Sequence, residues 1–209
     1  MIHLRRQYPN KSDQWMEMIK VIQDIAHAMK YIHSQDIILR DLKPNNIGFN
    51  TDGTLKLFDF GLAIKLTNIP EKKIGVDQYQ LEEGTGTLRY MCPEVACGRI
   101  YGKPCDVYSF ALVAWEILTL EKPYAAMTPE ILIEEVYKQH QRPKVLKKWP
   151  AELQNLLHRS WYNNPRYRPQ FSEICELLVG LNDEYKRKHK KFNIFVRRMC
   201  RTNSIPIPH

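Results

Sequence analysis

Residues 39–46 read Leu-Arg-Asp-Leu-Lys-Pro-Asn-Asn, and Asp59-Phe60-Gly61 follows 13 residues after Asn46. Two short apolar runs between these motifs flank Thr51-Asp52-Gly53, and Asp and Gly tolerate the backbone angles of a tight hairpin turn. The pattern predicts a β-hairpin, which would bring Asn46 and Asp59 together because they flank its two strands. The sequence therefore concentrates acidic, amide and basic side chains beside one short hairpin.

These side chains have complementary chemistry. Asn46 and Asp59 offer an amide and a carboxylate oxygen, which are ligands that octahedral Mg²⁺ accepts together with water. Lys43 offers a point charge to a phosphate group. Asp41 is free to orient a hydroxyl group and to accept its proton. The cluster therefore indicates a magnesium site beside a phosphate-binding lysine.

The motifs resemble those of the eukaryotic protein kinase family, specifically its C-terminal lobe. Residues 39–46 resemble the H-R-D-L-K-P-x-N catalytic loop, and Asp59-Phe60-Gly61 resembles the D-F-G metal-binding turn. Three more similarities follow in the family's order: 86–94 to the segment that ends in A-P-E, 106–110 to the start of the central helix, and Trp161, Pro165 and Arg168-Pro169 to the late tryptophan and the R-P pair. Ordered motifs over roughly residues 10–182 make a chance match very unlikely.

The resemblance implies an α+β, mainly helical fold. Residues 1–183 are expected to form a kinase-like large lobe, with a short β-hairpin at the catalytic loop and a buried central helix. The catalytic loop lies at 39–46 and the activation segment at 59–94. Residues 184–209 are expected to form a separate basic tail.

The implied activity is transfer of a phosphoryl group from ATP, with Mg²⁺, to serine or threonine in a protein substrate. Asp41 matches the catalytic aspartate that orients the substrate hydroxyl. Asn46 and Asp59 match the ligands of the metal ion that ATP brings.

Three further residues match functional positions of the family. Lys43 matches a lysine that contacts the transferring phosphate, and Thr87 matches a threonine that bridges Asp41 and Lys43. Both features are typical of serine/threonine kinases. Arg40 matches the arginine that holds a phosphorylated activation loop, and Glu82 or Glu83 is hypothesised to replace that phosphate with a carboxylate.

Three other motif positions are expected to be structural. Glu94 and Arg168 resemble the family's buried ion pair. Asp106, at the head of the predicted central helix, is expected to accept backbone N–H groups near Arg40.

The sequence also departs from the family pattern. Its first glycine is Gly48, so no glycine-rich loop precedes the catalytic loop, and no strand with the V-A-I-K lysine precedes it either. Leu39 stands where the family usually has His, and Cys92 replaces the Ala of A-P-E. The chain alone is therefore expected to have little kinase activity. The alternative functions are a catalytically inactive kinase-like interaction module and tail-driven membrane or nucleic-acid binding.

Apolar residues at three- and four-residue steps predict a helix from about Ser12 to His33. The segment 106–120 is apolar nearly all round, which predicts a buried helix. Shorter helices are predicted from Thr128-Pro129, over 151–162 and over 170–182, whereas 61–105 has loop character.

The formal net charge of +8 belongs to the tail. Residues 186–209 hold eight basic and no acidic residues, and residues 1–185 are balanced at 23 of each. Apolar residues at 192, 195, 196 and 199 would make residues 186–201 a basic amphipathic helix, suited to an anionic membrane, a partner's groove or nucleic acid. A solvated extension is the alternative.

The N-terminal sequence, the apolar segments and the cysteine count indicate a cellular compartment for the protein. The N-terminal residues have no apolar core typical of a signal peptide, and no segment is long and apolar enough to span a membrane. The odd number of cysteines, five, favours neither a disulfide framework nor a zinc site. A cytoplasmic location is expected, with the nucleus left open, and the oligomeric state is not indicated.

Overall fold

The computed structural model describes residues 11–69, 72–82, 84–184 and 187 and is mainly helical. The helices are α1 (Lys11–Ser34), α2 (Pro93–Ala96), α3 (Pro104–Thr119), α4 (Pro129–Ile131, continued by a π-helix over Leu132–Lys138), α5 (Ala151–Ser160) and α6 (171–184). Short 3₁₀ turns cover Pro44–Asn46, Leu66–Asn68, Leu88–Tyr90 and Pro165–Tyr167. The mainly helical α+β fold class is confirmed.

Short strands form three two-stranded antiparallel sheets among the described residues. β1 (Ile37–Ile38) pairs with β4 (Ile64–Lys65), β2 (Ile47–Phe49) with β3 (Leu55–Leu57), and β5 (Lys73–Gly75) with β6 (Gln78–Tyr79). Each pair holds two loop segments together rather than building a layer of the fold.

Helix α3 is the centre of the hydrophobic core. Every residue from Cys105 to Leu118 is buried, because the segment carries apolar side chains all round. The apolar face of α1 packs into the same core through Ile22, Ile25 and Met29, which are fully buried. Burying one such side chain stabilises the fold by about 1.5–3 kcal/mol. The packing of α1 against α3 therefore supports the loops that follow these helices.

The predicted hairpin is present. Ile47 lies opposite Leu57, and the turn closes where the N–H of Asn50 donates to the carbonyl of Thr54 at 2.9 Å. Gly53 has a φ of +81°, a left-handed conformation that glycine adopts without steric cost.

The expectation that 61–105 is a loop was wrong in part. This stretch contains β4, β5, β6 and α2, and α3 begins at Pro104 rather than at 106. Strands of two or three residues are too short to show an alternating pattern, so their pairing is set by distant partners. Proline at the start of α3 replaces an N–H that would lack a helical partner.

The tail prediction falls almost wholly outside the described residues. The segment 186–201, with its apolar positions from 192 to 199, stays a prediction, as do its membrane or nucleic-acid partners and the boundary at 183. Among the helices that the structure describes, none has the length and apolar character needed to cross a membrane.

Candidate active site

Asp106, near the start of α3, holds the backbone at the beginning of the predicted catalytic loop in place. Its carboxylate accepts the backbone N–H groups of Leu39 and Arg40 at 2.9 Å each, and it also contacts His33 Nε2 at 2.9 Å. Asp106 is fully buried, so these contacts replace the water that the carboxylate loses. The predicted scaffold role of Asp106 is confirmed, and His33 is a partner that the motifs did not indicate.

The structure brings Asp41, Lys43 and Thr87 together, as the resemblance implied. Asp41 Oδ2 accepts a hydrogen bond from Lys43 Nζ at 2.6 Å, and Asp41 Oδ1 accepts one from the N–H of Thr87 at 2.9 Å. Lys43 Nζ also donates to Thr87 Oγ1 at 2.9 Å. Both carboxylate oxygens are therefore held, and the residue is 6% exposed.

Asn46 and Asp59 lie at the same end of the hairpin. The amide nitrogen of Asn46 donates to the carbonyl of Asp41 at 3.0 Å, which leaves its amide oxygen to accept or to bind a cation. The N–H of Phe58 donates to the carbonyl of Asn46 at 2.8 Å, and Asp59 follows with a φ of +59°. Asp59 is exposed, and its carboxylate contacts the N–H of Gly61 at 3.4 Å.

This donor set fits a hard cation. Mg²⁺ prefers amide and carboxylate oxygens combined with water, and the Asn46 oxygen and the exposed Asp59 carboxylate are of that kind. Within the described part of the chain, no three His, Cys, Asp or Glu side chains gather into a metal-binding group. A cation at this edge would therefore depend on the mixed pair and on ligands from its substrate.

The contacts of Asp41 set its protonation state. Burial alone would raise the pKa of Asp41, but the hydrogen bonds from Lys43 and Thr87 outweigh it and hold the pKa below its ordinary value. Asp41 is therefore an anion at neutral pH.

We expect the Lys43→Met variant to raise the pKa of Asp41, because it removes one hydrogen bond and one positive charge while burial remains. Carbon-detected NMR titration of the Asp41 carboxyl in the 209-residue chain measures the titration midpoint of the wild type and of the variant. Equal midpoints would show that Lys43 does not hold the anion.

The lowered pKa of Asp41 also makes the stability of the fold depend on pH. Because its folded pKa is lowered, ionised Asp41 stabilises the fold above the unfolded pKa of about 3.9. That contribution is lost as the pH falls through the folded pKa.

Arg40 hydrogen-bonds to the predicted activation segment, but not to a carboxylate. Its guanidinium donates to the carbonyl of Leu62 at 2.6 Å and to the hydroxyl of Tyr101 at 3.3 Å. The Tyr101 hydroxyl in turn donates to the backbone carbonyl of Glu82 at 2.9 Å. Among the described residues Arg40 forms no ion pair, so the hypothesised pair with Glu82 is wrong. Glu83 lies outside the described residues.

Gly86 makes a second contact that motif matching alone did not indicate, with the backbone of Arg40. Its φ is +111°, and a Cβ at this position would lie 2.5 Å from the carbonyl oxygen of Arg40. Only glycine allows the activation segment to approach the catalytic loop this closely. The approach places the next residue, Thr87, within reach of Asp41.

The predicted ion pair between Glu94 and Arg168 is present and buried. Two guanidinium nitrogens of Arg168 donate to the two carboxylate oxygens of Glu94, at 2.5 and 2.8 Å. The same guanidinium bonds the carbonyls of Pro104 at 3.0 Å and Tyr162 at 2.9 Å. The pair therefore ties α2 to the start of α3 and to the segment after α5.

Three aromatic side chains at or beside the hairpin are exposed. Phe49, Phe58 and Phe60 are 54%, 50% and 49% exposed, whereas Leu39 is buried. Leu39 fills its apolar place in the core, and its backbone N–H is bound by Asp106.

A comparison with protein families agrees with this geometry. The family described as protein tyrosine and serine/threonine kinase matches residues 2–178 of the chain. The match includes every residue of the site described above.

Individual relatives are similar over the same region. The serine/threonine-protein kinase STY17 of Arabidopsis thaliana is 35% identical over 178 residues, which are 82% of this chain and 30% of that protein. The serine/threonine/tyrosine-protein kinase HT1 of the same plant is 35% identical over 177 residues, covering 83% of this chain and 43% of its own length. A probable LIM domain-containing serine/threonine-protein kinase of Dictyostelium discoideum is 34% identical over 177 residues, at 85% and 26% coverage. The chain thus spans less than half the length of each.

Proposed function

The chain belongs to the protein tyrosine and serine/threonine kinase family, and from this premise we propose that it forms the large lobe of a serine/threonine kinase. The proposed reaction is transfer of the γ-phosphoryl group of ATP to a serine or threonine hydroxyl of a protein substrate. The observation that carries the proposal is the hydrogen-bonded cluster of Asp41, Lys43 and Thr87. In this proposal residues 1–183 form the lobe and residues 184–209 form the basic tail.

In this mechanism Asp41 is the catalytic residue that receives the substrate hydroxyl. Its carboxylate is buried, anionic and fixed at both oxygens. It accepts a hydrogen bond from the hydroxyl, aims the oxygen at phosphorus, and takes the proton as the new O–P bond forms and the bond to the leaving diphosphate breaks. Fixed geometry matters because kinases gain most of their rate from positioning and charge stabilisation.

Lys43 and Thr87 complete the cluster. A lysine ammonium has three N–H donors, and the contacts with Asp41 and Thr87 use two of them. The third is available for an oxygen of the transferring phosphoryl group, whose negative charge it would stabilise. Thr87 holds Asp41 and Lys43 in one arrangement through its N–H and its hydroxyl.

Asn46 and Asp59 would hold the Mg²⁺ that accompanies ATP. When bound, the ion neutralises charge on the phosphates and orients them. The chain's own contribution is to fix the Asn46 amide through Asp41 and to present Asp59 at the adjacent turn.

We also propose an intracellular, cytoplasmic location. The four cysteines that the structure describes are Cys92, Cys97, Cys105 and Cys175, and all are free thiols. Free thiols are typical of reducing compartments.

The proposed function is tested with the 209-residue chain and with a two-lobed fusion, in which the small lobe of a serine/threonine kinase precedes Met1 of the full chain. The fusion supplies the glycine-rich loop and strand lysine that cover and bind the phosphates in this family. We expect the fusion to phosphorylate serine or threonine of casein with Mg-ATP. The chain alone should act far below the family's roughly 1–100 per second, because charge stabilisation weakens in water.

Labelled γ-phosphate and phosphoamino-acid analysis measure both proteins. A fusion that binds Mg-ATP but transfers no phosphate would contradict the function. Turnover near 1 per second by the chain alone would contradict the need for a second lobe.

A further inference from the structure

A cavity of about 900 Å³ lies outside the proposed catalytic cluster. Most of its lining comes from four segments: 30–34 at the end of α1, 76–78 at the β5–β6 turn, 99–104 up to the first residue of α3, and 163–172 up to the first residues of α6. Asp41, Lys43, Asn46, Asp59 and Thr87 are not among its lining residues. We call this cavity the basic groove.

The walls of the basic groove are fixed by the backbone. The N–H of Tyr79 donates to the carbonyl of Tyr101 at 3.0 Å, and the N–H of Tyr101 donates back at 3.3 Å. A Cβ on Gly102 would lie 2.0 Å from the carbonyl oxygen of Asp77. The β5–β6 turn therefore packs directly against the backbone at Gly102. Arg168 fixes the opposite wall through Glu94 and Pro104. The groove is therefore formed before any partner arrives.

Positive charge dominates the groove. Glu94 and Arg168 neutralise each other, which leaves Lys30, Arg99, Lys103 and Arg166 against Asp77 on the lining. Lys103 pairs with Asp36 at 2.7 Å. The side chains of Arg99 and Arg166 are exposed and have no ion-pair partner within the described residues.

Apolar surface accompanies this charge. Ile100 and Val76 line the groove and are 43% and 92% exposed. The volume of the groove is larger than one inorganic anion needs, and its lining combines cations with apolar side chains. Its chemistry instead suits a peptide with several carboxylates and an apolar anchor.

We propose that the basic groove docks an acidic segment of a partner protein. The acidic side chains contact Arg99 and Arg166, and an apolar side chain packs against Ile100. The chain's own tail does not suit the groove, because residues 186–209 carry eight basic and no acidic residues. Docking at this place is separate from phosphoryl transfer and does not depend on it.

The test is fluorescence anisotropy of the full 209-residue chain with a labelled peptide in which Glu alternates with Leu. We expect binding that weakens at least about tenfold, or about 1.4 kcal/mol, in the Arg99→Glu/Arg166→Glu variant. Lys147→Glu/Lys148→Glu is the matched control, because it makes the same charge change at two exposed lysines outside the groove. The control should bind nearly as the wild type does, and circular dichroism checks that both variants fold.

Three results would overturn the proposal. Equal weakening in both variants would assign the binding to net charge or to the tail, which all proteins in the test share. Equal binding of a peptide with Gln in place of Glu would exclude recognition of carboxylates. Displacement of the peptide by inorganic phosphate, but not by chloride at equal ionic strength, would leave an anion site only. None of these measurements uses phosphotransfer, so their failure is distinct from failure of the proposed function.

Discussion

The Arg168→Ala variant is expected to lose about 3–5 kcal/mol of unfolding free energy, because removing one partner of a buried ion pair strands the other charge. The Arg168 side chain is fully buried, and that of Glu94 is 5% exposed. Without the guanidinium, the Glu94 carboxylate would be left as an unpaired charge away from water. The carbonyls of Pro104 and Tyr162 would lose their donor in the same step.

Urea unfolding followed by far-UV circular dichroism measures this loss. Arg166→Ala is the matched control, since Arg166 is exposed two residues away and surface substitutions usually change stability by less than about 0.5 kcal/mol. The Glu94→Leu/Arg168→Met variant should recover much of the loss, because it leaves no unpaired charge. A loss within about 1 kcal/mol for Arg168→Ala would contradict a structural role for the pair.

The Asp41→Asn variant of the two-lobed fusion is expected to transfer phosphate about 10²–10⁴-fold more slowly than the unmodified fusion. Asparagine retains the size of the side chain but accepts no proton at neutral pH. Its NH₂ group would also face either the Lys43 ammonium or the Thr87 N–H, both of which are donors. The substrate hydroxyl would then lose both its orientation and its proton acceptor.

Steady-state phosphotransfer at saturating Mg-ATP measures this effect on kcat. Asp52→Asn is the matched control, because Asp52 lies in the turn of the same hairpin, where its carboxylate accepts the N–H of Thr54 at 2.9 Å. We expect its kcat to stay within about twofold of the parent. Equal rates for the two variants would remove Asp41 from the reaction.

Local sequence patterns predicted the hairpin and the buried helix α3. Thr51-Asp52-Gly53 has the turn chemistry that a hairpin needs, and α3 is apolar on every side, so neighbouring residues alone specify both elements. The approach of Thr87 to Asp41, and the Glu94–Arg168 pair, followed from motif resemblance rather than from local pattern.

Contacts between distant segments were not predictable in the same way. The Tyr101 hydroxyl links Arg40 to the Glu82 carbonyl, although no sequence pattern marks Tyr101 as a partner of either. Gly86 could be recognised as a flexible position, but its contact with the Arg40 carbonyl depends on how two loops meet over α3. The expected pair between Arg40 and Glu82 was wrong for the same reason, since the backbone rather than the carboxylate of Glu82 is brought near.

The central claim is that Asp41, Lys43 and Thr87 act as one phosphoryl-transfer centre. A double-mutant cycle of kcat in the two-lobed fusion, with Asp41→Asn, Thr87→Val and both together, tests it most directly, because residues that act as a unit have non-additive effects. The structure predicts a slower Thr87→Val variant and a double variant within about threefold of Asp41→Asn alone. Multiplication of the two single effects in the double variant would contradict the claim.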